Sequence, residues 1–151
     1  MTIKARFVHI NLVAEDWQTL AAFYRRVFGC VVVPPERDLS GEALEAGTGV
    51  AGARLRGVHL RLPAQGGNGP TLEIYQYDPS PGSMRTAANV PGFRHIAFAV
   101  DDVLAAQREV LAAGGQAIGQ PVTMEIAGAG RVTWCYVADP EGNLIELQAW
   151  S

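Results

Sequence analysis

Phe7-Val-His-Ile-Asn-Leu-Val-Ala-Glu-Asp16 lies over Phe93-Arg-His-Ile-Ala-Phe-Ala-Val-Asp-Asp102. His9 falls on His95, Ile10 on Ile96 and Asp16 on Asp102, 86 residues apart (95 − 9), without a gap as far as Gly29 and Gly115. The two halves also end alike, in Thr71-Leu-Glu-Ile-Tyr75 and Leu144-Ile-Glu-Leu-Gln148, where Glu73 falls on Glu146. Matching beginnings and endings in the same order read as one unit duplicated, and a duplication decides the fold before any single element does.

Each half reads as strand, helix, then three strands. Phe7 to Val13 and Phe93 to Val100 are apolar runs bounded by acids. Trp17, Leu20, Ala21, Tyr24, Val27 and Phe28 then recur at helical spacing, between an N-cap residue, Asp16, and a stop residue, Gly29. Val103, Ala106, Val110 and Ala113 mark the second helix, started by Asp102 and stopped by Gly114-Gly115. Cys30–Pro34 and Gln116–Val122 follow as strands, then Arg54–Leu62 and Arg131–Ala138, with Asp139-Pro-Glu-Gly142 as a tight turn. Asp38–Gly49 reads as a long polar loop, and Asp78–Gly92 as the connection between halves. The expectation is an α+β fold: two repeated βαβββ modules, about 3–78 and 92–149, forming one domain over residues 1–151. Their sheets are expected to make a mixed-sheet trough or open barrel with the helices outside.

Composition narrows the function classes. The chain has 151 residues, 48% hydrophobic and 18% charged, with 12 basic against 15 acidic side chains and a net charge of −3. That is globular composition with no basic excess for nucleic acid or a membrane surface. No apolar run reaches the roughly 18 residues of a membrane helix, and the start carries no secretory pattern. Cys30 and Cys135 are isolated and read as reduced, buried thiols, which implies a cytoplasmic protein.

Strand alternation places the polar residues. His9 lies opposite Val8, Ile10 and Leu12, the side a helix must cover, and His95 lies opposite Ile96 and Phe98. Glu73 and Glu146 each sit between apolar neighbours and leave the covered face in the same way. Any one of them alone reads as solvent-facing. Glutamate is depleted in strands, and the same pair occupies equivalent places twice, so His9, Glu73, His95 and Glu146 read together as a divalent-metal site. Imidazole with carboxylate suits Zn, Ni, Co, Mn or Fe without choosing among them; a structural zinc is the other reading of four ligands. His59 alternates with Val58 and Leu60 and reads as a surface strand histidine, with a place in the trough as the second reading. Arg54, Arg56 and Arg61 read as solvated strand-edge charges, and Trp134 with Tyr136 as core aromatics.

The chain resembles the vicinal oxygen chelate superfamily, which includes glyoxalase I, methylmalonyl-CoA epimerase, extradiol dioxygenases and the bleomycin and fosfomycin resistance proteins. The phrases that carry the resemblance are Phe23-Tyr-Arg-Arg-Val-Phe-Gly29, Gly92-Phe-Arg-His-Ile-Ala-Phe-Ala-Val-Asp-Asp102 and Asp139-Pro-Glu-Gly-Asn-Leu-Ile-Glu146. It implies that His9, Glu73, His95 and Glu146 are the four ligands in chain order. It further implies a metal-dependent lyase or isomerase of the glyoxalase or epimerase type, moving a proton beside a metal-bound carbonyl through an enolate. Glu146 is then the catalytic base, and Glu73 its symmetric partner for returning the proton. Val13 and Tyr77 stand where bacterial glyoxalase I carries Arg and Asn for glutathione. The alternatives are a small non-haem iron dioxygenase of the extradiol type, or a non-catalytic protein that binds a drug-like molecule. Partners are expected to be a small-molecule substrate with adjacent oxygens and a second copy of the chain in a homodimer.

Overall fold

The computed structural model describes residues 2–82 and 87–151. The chain divides into two compact units, Met1–Ser83 and Met84–Ser151. Each holds a mixed β-sheet with helical cover, so the architecture is α+β as expected. Of the expected Asp78–Gly92 connection, residues 83–86 lie outside the described part.

The first unit runs β1 (His9–Val13), α1 (Trp17–Phe28), β2 (Val31–Ser40), α2 (Glu42–Thr48), β3 (Arg54–Arg61) and β4 (Thr71–Asp78). Its sheet order is β1-β4-β3-β2, with β1 parallel to β4 and the other pairs antiparallel. The second runs β5 (His95–Ala99), α3 (Val103–Ala112), β6 (Gln116–Ala117), β7 (Val122–Ile126), β8 (Gly130–Ala138) and β9 (Leu144–Trp150). Its order is β5-β9-β8-β6, with β7 also on β8 and β5 parallel to β9. In each unit the first strand therefore lies beside the last, in the same direction. A parallel pair needs a long crossover, and the intervening elements supply it.

Equivalent aspartates start the two long helices. Asp16 accepts from the backbone N–H groups of Gln18 and Thr19, both at 3.1 Å, and Asp102 from that of Ala105 at 3.0 Å. Gly29 closes α1 in the left-handed region, φ 66°, where a side chain is disfavoured. α1 buries Leu20, Ala21, Phe23 and Tyr24 and packs on β3 and β4, which bury Val58, Leu60, Leu72 and Ile74. α3 buries Val103 and Val110 against β8 and β9, where Cys135, Val137, Ile145 and Leu147 are buried. Burial of each large apolar side chain contributes roughly 1.5–3 kcal/mol. Cys30 and Cys135 are free and buried, as expected. Among the described residues no helix is long and apolar enough to cross a membrane.

The turn before β9 is built on one side chain. Asp139 is fully buried; its Oδ1 accepts from the backbone N–H of Glu141 at 2.9 Å and of Asn143 at 3.0 Å, and Oδ2 from Asn143 Nδ2 at 2.8 Å. That turn sets where β9, and with it Glu146, begins.

Three expectations are corrected. The segment 38–49 is no loop: Asp38–Ser40 extends β2, and Glu42–Thr48 forms α2, a helix too short to show an amphipathic period. Gln116–Val122 is not one strand; Gly119 and Pro121 fall between β6 and β7, and Pro121 has no N–H to give a ladder. α1 packs mainly on β4 and β3 and leaves β1 largely uncovered, so Val8 and Ile10 are exposed and Leu12 is only half-buried.

Candidate functional site

In the first unit the face away from α1 can be read as a grid. On β4, Glu73 is flanked by Asn11 of β1 on one side and His59 of β3 on the other. One row along, Thr71 lies between His9 and Arg61; one row the other way, Tyr75 lies beside Gly57. Gly57 is needed there. A Cβ at that position would meet the Ile74 carbonyl oxygen at 2.0 Å and Tyr75 Cδ1 at 2.6 Å. The missing side chain leaves room for the Tyr75 ring to lie over β3 toward His59.

Glu73 is the centre of this face, its side chain 9% exposed. Oε2 accepts from Asn11 Nδ2 and faces His9 Nε2, both at 3.3 Å. Oε1 accepts from the Tyr75 hydroxyl at 3.2 Å and faces His59 Nε2 at 3.0 Å. His59 Nε2 lies 2.7 Å from the Tyr75 oxygen, and Nδ1 lies 3.4 Å from Thr71 Oγ1. Since the tyrosine proton goes to Glu73, its oxygen accepts from His59 Nε2–H, and Nδ1 accepts from the Thr71 hydroxyl. Donation thus runs one way, from Thr71 through His59 and Tyr75 to Glu73. Burial is the largest influence lowering the His59 pKa, ahead of the opposing charge of Glu73, which favours the neutral ring this order requires. Burial first, and Glu73 second, push the Tyr75 phenol up to about 12, so it stays a donor.

The second unit repeats the register with different occupants. Ala97 and Tyr136 flank Glu146, in the places of Asn11 and His59, and Gln148 stands in the place of Tyr75. His95 Nε2 lies 3.1 Å from Glu146 Oε2, and the Glu146 side chain is 19% exposed. The Tyr136 ring sits 5.1 Å from the His95 ring, and its phenol is raised by burial and then by Glu146. Gln148 turns to accept from Trp150 Nε1 at 2.6 Å, not to support Glu146.

The structure therefore brings His9 to Glu73 and His95 to Glu146, each pair within one unit. Three expectations change here. His59 is not a surface residue but lies half-buried against Glu73, and Trp134 with Tyr136 leaves the α3 side, where Cys135 is buried; Tyr136 lies against His95 and Trp134 meets Tyr136 edge-on. Arg54 pairs with Asp38 at 2.7 Å and, like Arg56, is exposed as expected, but β3 is paired on both sides and is no edge strand, and Arg61 at its far end is half-buried with a buried Nε. Residue type alone assigns Asn11 and Tyr75 no role, although each stands two residues along its strand from an expected ligand and so shares its face. Among the described residues no three His, Cys, Asp or Glu side chains already converge as an ion site.

Two sheets of β1-β4-β3-β2 type, each offering an imidazole from its first strand and a carboxylate from its last, define the glyoxalase fold class. A glyoxalase family protein from Bacillus cereus shares the architecture at TM-score 0.73 and 18% identity, covering 99% of this chain and 95% of that one. A glyoxalase/bleomycin resistance protein/dioxygenase family enzyme from Burkholderia phytofirmans does so at TM-score 0.62 and 17% identity, covering 97% and 100%. A mutant of the fosfomycin resistance protein FosX from Listeria monocytogenes, complexed with Mn(II) and a dihydroxypropylphosphonic acid, matches at TM-score 0.54 and 16% identity, covering 99% and 95%. No curated protein matches the sequence. The chain belongs to the Glyoxalase/Bleomycin resistance protein/Dioxygenase superfamily, whose family model matches residues 6–147.

Proposed function

We propose that the protein is a divalent-metal-dependent lyase or isomerase that moves a proton on the carbon beside a substrate carbonyl. His9, Glu73, His95 and Glu146 would hold the ion, one imidazole–carboxylate pair from each module. The observation that carries this reading is the spacing within the pairs. Two ligands at right angles on one ion, with bonds of roughly 2.0–2.2 Å, stand about 3.0 Å apart. The nitrogen–oxygen separations are 3.3 Å for His9–Glu73 and 3.1 Å for His95–Glu146, so the donors fit neighbouring positions of a coordination shell. Two imidazoles and two carboxylates are also a donor set suited to borderline divalent ions. When bound, such an ion supplies Lewis acidity toward a substrate carbonyl.

The remaining chemistry belongs to the chain. Glu146 takes the proton from the carbon next to the carbonyl and delivers it to the neighbouring carbon of the resulting enolate; among the described residues only His95 pairs with its carboxylate. The exposed apolar residues beside and within β1, which include Phe7, Val8, Ile10 and Val13, call for a partner surface, and we place a second copy of the chain there. Two buried thiols left unpaired suit a cytoplasmic setting.

Elemental analysis of protein purified without chelator tests the metal, with one equivalent of a divalent ion per chain expected. Proton exchange into deuterated water, followed by NMR over a panel of thioesters and methylglyoxal–thiol adducts, tests the reaction. Glu146→Gln is expected to abolish exchange. Protein with no stoichiometric metal, or one that consumes oxygen with catechols and exchanges no proton, overturns the reading.

A further inference from the structure

The two carboxylates of the proposed site are not equivalent, although their strand registers are. Glu73 receives Asn11 Nδ2 on one oxygen and the Tyr75 hydroxyl on the other, and Tyr75 is itself held by His59 at 2.7 Å. Glu146 has Ala97 and Tyr136 at the flanking positions and Gln148 turned away to Trp150. Alanine supplies no donor, and no hydrogen bond joins Tyr136 to Glu146 among the described residues.

We propose that His59 and Tyr75 are positioning residues that lock Glu73 as a fixed metal ligand and leave Glu146 as the one carboxylate free to carry the proton. This rests on the metal-dependent reading above and deepens it. A carboxylate accepts about four hydrogen bonds over two oxygens. Tyr75 and Asn11 fix the plane of Glu73 and aim Oε2 at His9 Nε2, 3.3 Å away, the side on which an ion shared with His9 would lie. Swinging Glu73 away would leave the half-buried Tyr75 O–H without its acceptor, although the phenol oxygen keeps its bond from His59. With one mobile base, the carbon–hydrogen bond of an α-hydroxy carbonyl breaks toward Glu146 and the electron pair stays on the substrate. The same carboxyl delivers the proton to the adjacent, former carbonyl carbon on the face it left, while the α-hydroxyl becomes the new carbonyl and its proton passes to the oxygen that was the carbonyl. The outcome is a proton shift with one stereochemistry, not inversion by two opposed carboxylates.

The test is metal affinity measured by competition with a chromophoric chelator, on full-length protein stripped and reloaded with Zn(II). Loss of a hydrogen bond to a ligand typically weakens metal binding 10–100-fold. Tyr75→Phe, which removes one oxygen, is expected to fall in that range, and so is His59→Leu. His59→Gln, which keeps an N–H donor, is expected to recover part of the loss. The double variant Tyr75→Phe/His59→Leu is expected to be little worse than either single one, because both act through one hydrogen-bonded chain. Tyr75→Phe within twofold of the wild type, with unchanged circular dichroism, overturns the proposal. Wild-type protein that takes up no metal instead overturns the reading beneath it. The clamp is then judged by a double-mutant cycle in urea unfolding, Tyr75→Phe against Glu73→Gln: coupling supports it and additivity overturns it.

Discussion

Replacing Asp139 by alanine removes the acceptor that organises the turn into β9. Two backbone N–H groups, of Glu141 and Asn143, lose their side-chain partner, and Asn143 Nδ2 loses a third bond. The position is fully buried and its two backbone donors lie on half-buried residues, so water replaces the carboxyl only in part. An orphaned donor costs about 1–3 kcal/mol, which puts the loss at about 2–6 kcal/mol for the two backbone groups, in the lower half of that range where water reaches them. Asp139→Asn keeps one oxygen for the backbone donors and is expected to cost about 1 kcal/mol. Urea unfolding followed by tryptophan fluorescence reads both, as a lower midpoint at unchanged slope. Because the turn sets the start of the strand that carries Glu146, Asp139→Ala is also expected to weaken metal uptake. A loss below about 0.5 kcal/mol would refute the reasoning, since surface changes are commonly that small.

Gly57→Ala forces a methyl into the Ile74 carbonyl and the Tyr75 ring, and overpacking of this kind costs about 1–3 kcal/mol or more; a melt no lower than wild type contradicts that geometry. Asp16→Ala removes the cap of α1 and is expected to cost about 1 kcal/mol in urea unfolding. The hydroxyl and N–H of Thr19 hold the Asp16 carboxyl below its ordinary value, so its contribution is present above pH ~4 and fades as the pH falls through the lowered folded value. Asp16→Ala is therefore expected to flatten the acid limb of the stability curve, and an unchanged limb counts against the cap. Burial pushes the Cys30 thiol up to about 11 and also raises Cys135, so neither is expected to react with a disulfide reagent at pH 8 until urea unfolds the chain. Rapid labelling of the native protein contradicts that burial.

The repeat was legible because its signals are local. Asp16 and Asp102 cap equivalent helices, and Gly29 ends α1 where the chain needs a left-handed residue. Alternation also placed His9, Glu73, His95 and Glu146 on the face away from the helices. Occupancy of that face was less legible. His59 looked like any strand histidine because its significance depends on pairing with a residue 14 positions away, in a register the sequence does not print (73 − 59). Tyr75 had a readable place, two residues beyond Glu73, but its role depends on the space left by Gly57 on the neighbouring strand. α2 is not legible because seven residues with a glycine inside show no clear period. The cover over β1 is not legible for a related reason: periodicity says that a helix has an apolar face but not which strands it meets.

The parallel pairing of β1 with β4 has a kinetic consequence. Asn11 and Glu73 lie 62 residues apart in sequence, so their contact closes nearly the whole first unit as one loop. Contacts between such distant segments form slowly, because loop entropy must be overcome before they contribute. A ribosome therefore has to release β4 before His9 can find its carboxylate. In stopped-flow refolding, a probe at Asn11 is expected to lag behind one placed in α1.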